Sequence, residues 1–180
     1  MLRYIVVSLL LFITLTLSAQ YNIPKLMQDG KLLLDKGNYV TALQIFQRIT
    51  SLKPNIYKAW YSMALAKYHL EDYKGSLNDC TKALELQPYI AEIYELYGML
   101  SIKDKSFDNA IKAYTKAIKI NPNNRDYWFN RAYSFYMINK FTEALNDINY
   151  IFKHWKSFKE AQYLRSDIIA KQKQKPLLKN

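Results

Sequence analysis

The sequence predicts an all-α protein assembled from repeated helix hairpins, and three observations carry that expectation. Pro54, Pro88 and Pro122 lie 34 residues apart. Aligning the chain on those prolines stacks Trp60, Tyr94 and Trp128 in one column, Ala64, Gly98 and Ala132 in a second, Tyr73, Phe107 and Phe141 in a third, and Ser76, Ala110 and Ala144 in a fourth. Self-similarity at a fixed period marks a stack of like units. The composition agrees: half of the 180 residues are apolar, and 4 Gly and 5 Pro are too few for a turn-rich β architecture, while abundant Leu, Ala, Lys and Ile favour helix.

From the start of the chain, MLRYIVVSLLLFITLTLSAQ places one cation, Arg3, before an apolar run from Tyr4 to Leu17 that ends at Ser18-Ala19. A basic start, an apolar stretch and a small residue at the cut are the layout of a secretory leader. Residues 1–19 are therefore expected to be removed and the remainder exported, to the periplasm or outside the cell. An uncleaved anchor is the competing expectation, but a span needs about 20 apolar residues, and this run is shorter and carries Ser8, Thr14 and Thr16. Losing Arg3 with the leader leaves 25 cations against 15 acids, a formal +10 in place of +11. Such a charge suits nucleic acid, anionic lipid or acidic partners; the cations are scattered over helix faces, so a solvated basic surface and no nucleic-acid partner are expected.

Residues 20–158 hold the repeats, at about 23–56, 57–90, 91–124 and 125–158. In the second, Trp60, Met63, Ala64 and Leu70 share one side of a first helix, because positions three and four apart face the same way. Glu71-Asp72 breaks the pattern, and a second stripe runs through Tyr73, Ser76, Leu77, Cys80, Ala83 and Leu84 until Pro88, which cannot continue a helix interior. The small residues Gly30, Ala64, Gly98 and Ala132, opposite Ala42, Ser76, Ala110 and Ala144, allow the two helices of a hairpin to approach closely. Cys80, the one cysteine, can form no internal disulfide and reads as a small core residue. Residues 159–180 read as a capping helix, with Phe158, Ala161, Leu164, Ile168 and Ile169 as its apolar face, followed by the basic tail KQKQKPLLKN, which is available to anionic membrane surfaces.

With its columns in place, the chain resembles the tetratricopeptide repeat family, whose 34-residue unit is a helix–turn–helix with Trp, small, aromatic, Ala, aromatic, Ala and Pro in that order. AWYSMALAKYHLEDYKGSLNDCTKALELQP and DYWFNRAYSFYMINKFTEALNDI carry the pattern closely, and EIYELYGMLSIKDKSFDNAIKAYTKAIKINP carries it with Tyr94 for Trp. The departures are Leu26 for the first Trp, Lys67 and Ser101 where an aromatic is usual, and Lys156 for the last Pro. The resemblance covers about residues 23–158 and implies a right-handed α-solenoid of about four hairpins plus a C-terminal capping helix.

The chain lacks the groupings that catalysis requires. His69 and His154 fall in different repeats without a metal-binding partner at ligand spacing, and the glycines are single, so there is no phosphate loop. No enzyme activity, cofactor or metal is expected. The resemblance instead implies a concave face made by the first helix of each unit. There Tyr61, Leu65 and Tyr68, then Met99 and Ile102, then Phe129, Tyr133 and Tyr136 form an aromatic and apolar groove for a peptide or helix of a protein partner. Packing of some of these side chains beneath the adjacent unit or the terminal helix is the competing reading. The clamp by which some relatives hold a terminal carboxylate is missing, its places being Met27, Lys31, Ser62, Glu92 and Leu96 or, one unit later, Tyr61, Leu65, Leu96, Asp126 and Asn130. The expected function is thus a non-catalytic interaction scaffold, with a self-associating component of an envelope assembly as the alternative and the oligomeric state open.

Overall fold

The computed structural model describes residues 22–174. The expected leader at 1–19 and the end of the basic tail lie outside them. Among the described residues there are nine helices and no strand: α1 Ile23–Asp35, α2 Tyr39–Leu52, α3 Tyr57–His69, α4 Tyr73–Leu86, α5 Ala91–Lys103, α6 Phe107–Ile120, α7 Arg125–Met137, α8 Phe141–His154 and α9 Lys159–Gln174. The expected class, all-α hairpins followed by one more helix, is what the chain adopts. The helices gather into two compact units, α1–α4 ending at Leu86 and α5–α9 beginning at Gln87. No described helix is long and apolar enough to cross a membrane.

Each hairpin closes with the same device. Gly37, Glu71, Lys105 and Asn139, again 34 apart, take left-handed backbone with φ of 79°, 61°, 57° and 60°. In each turn the amide of that residue donates to the carbonyl three residues back and the next amide to the carbonyl five back, as in Gly37 to Leu34 and Asn38 to Leu33. This satisfies two of the carbonyls that a helix end leaves open. Only the first turn uses glycine, which reaches that conformation without steric cost.

Packing inside the hairpins explains the columns. In α1–α2 and α5–α6 the small residue is glycine, and a ring from the second helix lies on it: a Cβ on Gly30 would sit 2.8 Å from Phe46 Cε1, and one on Gly98 would sit 2.7 Å from Tyr114 Cε2. In the other two hairpins alanine stands there, and the partner shrinks to Cys80 or Ile148, both fully buried. Those same two hairpins use the Trp–Pro pair, with Trp60 Nε1 donating to the Pro54 carbonyl at 2.7 Å and Trp128 Nε1 to that of Pro122 at 2.9 Å. Proline thus both stops one helix and offers an acceptor to the next.

Two charged residues depart from the solvated surface expected from sequence. Asp79 on α4 and Asp147 on α8 are equivalent positions and are each 5 % exposed. Lys67 meets Asp79 at 2.7 Å, and Arg131 grips Asp147 with two bonds of 2.8 and 2.7 Å while also donating to Thr115. Burial raises both carboxyls despite their cations. Lys67, an oddity against the family pattern, is therefore half of an ion pair across the hairpin. Leu70, expected in the buried stripe, is 38 % exposed because it caps α3 after the turn has begun to unwind. On α9 the buried face is Ala161, Leu164 and Ile168, with Phe158 just before the helix, whereas Ile169 falls outside it.

Candidate functional site

The first helices of the hairpins carry the residues expected to form a groove, and each unit is taken by itself. In the first unit, Tyr61, Leu65 and Tyr68 lie along α3 and are all half-buried. Tyr68 sits edge-on to His69 and tilted against Tyr73, while His69 stacks on Tyr39 at 4.3 Å. His69 here serves as an aromatic plate in the stack. Among the described residues no three His, Cys, Asp or Glu side chains gather where a metal could be held.

In the second unit, Met99 and Ile102 lie on α5 and Phe129, Tyr133 and Tyr136 on α7, all half-buried. Ile102 packs on the cluster built from Ala110, Tyr114 and Ala117, and the three α7 aromatics pack on the cluster that includes Phe158, Leu164 and Ile168. Two of those aromatics are held by the chain's own last segment. Phe129 meets Phe158 edge to face at 5.0 Å, and Arg125 lies 4.0 Å over the same Phe158 ring. The Tyr136 hydroxyl donates to Asp167 Oδ2 at 2.7 Å, Lys171 Nζ sits 4.4 Å over the Tyr136 ring, and a hydrogen bond with Tyr136 raises the lysine's pKa. Lys171, which the sequence assigned to a basic tail, belongs to α9.

An open cleft of about 640 Å³ remains between α7 and α9, lined by Phe129, Tyr133, Tyr163, Leu164, Ser166, Asp167 and Ala170. Tyr163 is 73 % exposed. The sequence reading did not include α9 in the groove, yet the signal was present: 163, 167 and 170 are 129, 133 and 136 advanced by one 34-residue period. The last helix therefore repeats the first-helix position of a fifth unit. Toward the start of α7, Tyr127, 1 % exposed, hydrogen-bonds Glu95 of α5. Burial pushes the Glu95 carboxyl up, and the Asp126 and Glu92 carboxylates add to the rise.

Family models for the tetratricopeptide repeat match residues 57–89 and, in a second form, 103–139. Among curated proteins, the anaphase-promoting complex subunit CDC27 of Saccharomyces cerevisiae is 33 % identical over 98 residues, 54 % of this chain and 13 % of its own. An N-terminal acetyltransferase A complex subunit-like protein of Schizosaccharomyces pombe is 26 % identical over 99 residues, 55 % of this chain and 14 % of its own. The chain thus spans only a small part of those relatives. Among solved structures, YrrB has a TM-score of 0.77 at 18 % identity, covering 82 % of this chain and 76 % of its own. MamA from Desulfovibrio magneticus RS-1 has a TM-score of 0.71 at 21 % identity, covering 77 % of this chain and 78 % of its own. The family models thus recognise tetratricopeptide repeats at residues 57–89 and 103–139, and the solved structures share the repeated-hairpin fold.

Proposed function

We propose that this chain is a non-catalytic, exported scaffold that holds a peptide or helix of another protein against the aromatic face of its first-position helices. The observation that carries the reading is the α7–α9 cleft, where Phe129, Tyr133 and a largely exposed Tyr163 stand together. Exposed aromatics on rigid helices are the usual anchors of interfaces, since they offer area at little ordering cost. YrrB, which shares the fold, is described as a TPR protein with an unusual peptide-binding site, and CDC27 is a subunit of a complex.

The test is partner capture from the cell-envelope fraction. Tyr133→Ala/Tyr163→Ala removes two anchors, each worth about 2 kcal/mol or roughly thirtyfold in affinity, with circular dichroism confirming helix content. Truncation after Gln174 removes Lys175 and Lys179 and leaves α9 whole. Loss of the partner by the double variant and retention by the truncation support the groove; the reverse assigns binding to the tail. A chain that forms a stable oligomer by light scattering, broken by the same double variant, supports the self-associating alternative instead.

A further inference from the structure

The charge on the second unit's groove face runs against that of the chain. Cations outnumber acids 26 to 15 overall, yet the second positions of α5, α7 and α9 are Glu92, Asp126 and Glu160, all exposed. Each lies in the first turn of its helix, where a carboxylate complements the helix dipole. That role does not extend to Glu95, one turn further in and half-buried, nor to Asp167 beside the cleft. Two nearby cations already have partners: Arg125 lies over Phe158 and 3.5 Å from Asp126, and Lys171 lies over Tyr136. In the first unit the places equivalent to Glu92 and Asp126 hold Pro24 and Lys58, so the acidic row is a property of the second unit and not of the repeat.

We infer that the α5–α7–α9 face takes a segment of another protein that is both basic and apolar, its apolar side chain seated among Phe129, Tyr133 and Tyr163 and its Lys or Arg side chains on the carboxylate row. This rests on the groove reading and adds the chemical class of the occupant. Charge complementarity is the argument. An acidic row beside an apolar cleft is matched by cations beside an apolar anchor, and an acidic segment there meets like charge. It is also the opposite of a carboxylate clamp, which needs cations at these places.

The probe is a fluorescent synthetic peptide of about twelve residues alternating Leu and Lys, compared with the same peptide carrying Glu for Lys, by anisotropy at low and physiological salt. The full chain binds the Leu–Lys peptide and not the Leu–Glu one, although its net charge is +11. Glu92→Gln/Glu95→Gln/Asp126→Asn weakens the Leu–Lys peptide about tenfold and flattens its salt dependence. The exposed pair Asp126→Asn/Glu160→Gln is the second variant, independent of the Glu95–Tyr127 contact, and gives the same change to a smaller degree. Preference for the Leu–Glu peptide, or affinity unchanged in both charge variants, overturns the basic class while leaving the groove in place. An unchanged response to either peptide by Tyr133→Ala/Tyr163→Ala overturns the groove reading itself. Concentration-dependent dimerisation lost on truncation after Gln174 would make a second copy's basic tail the occupant and overturn the assignment to another protein.

Discussion

Arg131 and Asp147 show how a buried ion pair can hold the two helices of a hairpin together. Removing one member of a buried pair leaves the other charge uncompensated, which costs more than replacing both. Asp147→Ala is expected to destabilise by about 3 kcal/mol, whereas Arg131→Met/Asp147→Leu recovers most of that, as measured by urea unfolding. The direction of titration is a second check. Burial raises the Asp79 and Asp147 carboxyls above their ordinary 3.8. Between that value and the raised midpoint the folded form binds more protons than the unfolded one. These two groups therefore add stability as pH falls through that window and withdraw it as pH rises, opposite to the usual paired carboxylate. Carboxyl-carbon NMR places the Asp147 midpoint above 3.8 on this account; a midpoint below it contradicts the dominance of burial. At Cys80 burial pushes the thiol up to about 12, so a thiol reagent labels the native chain far more slowly than the unfolded one. Gly98→Ala drives a methyl to 2.7 Å from the buried Tyr114 ring and is expected to cost about 1–3 kcal/mol in the same unfolding assay.

At the scale of helices and turns, the 34-residue columns made the hairpins legible, because close packing of a small residue against the second helix repeats in every unit. The turns were legible in position and not in conformation. Glu71 and Lys105 carry none of the glycine signal and Asn139 only the weaker asparagine one, and each takes left-handed backbone where the turn's paired amide-to-carbonyl bonds close the helix. Lys105→Gly relieves that strain and should raise stability by about 0.5–1 kcal/mol. The ion pairs were hidden for a different reason: Lys67 and Asp79 lie twelve residues apart on separate helices, and helical periodicity within either one reports nothing of the other. For α9 the apolar stripe at Phe158, Ala161, Leu164 and Ile168 gave the helix, while its role as a groove wall required carrying the period one step past the last proline. Phe158→Ala removes the Phe129 edge contact and the Arg125 stack. It should cost about 3 kcal/mol and speed amide exchange over 159–174 before the rest of the second unit responds.

Across the described residues the repeats supply helices, and a shared fold leaves use to the residues displayed on it, so the proposed binding role rests on the aromatic face and not on the family likeness. Half-burial of Tyr61, Tyr68 and Met99 is compatible with packing and with binding alike; among the residues lining the cleft, exposure singles out Tyr163. The central claim, that the α7–α9 cleft is where another protein lies, is tested most directly by a photo-activatable phenylalanine placed at Tyr163 and, as a control, at Tyr89. Tyr89 is equally open, at 76 % exposed, and is absent from the cleft. Irradiation in the cell-envelope fraction should yield a discrete crosslinked protein from position 163 and none from position 89. Crosslinks from position 89 with none from 163 would contradict the account.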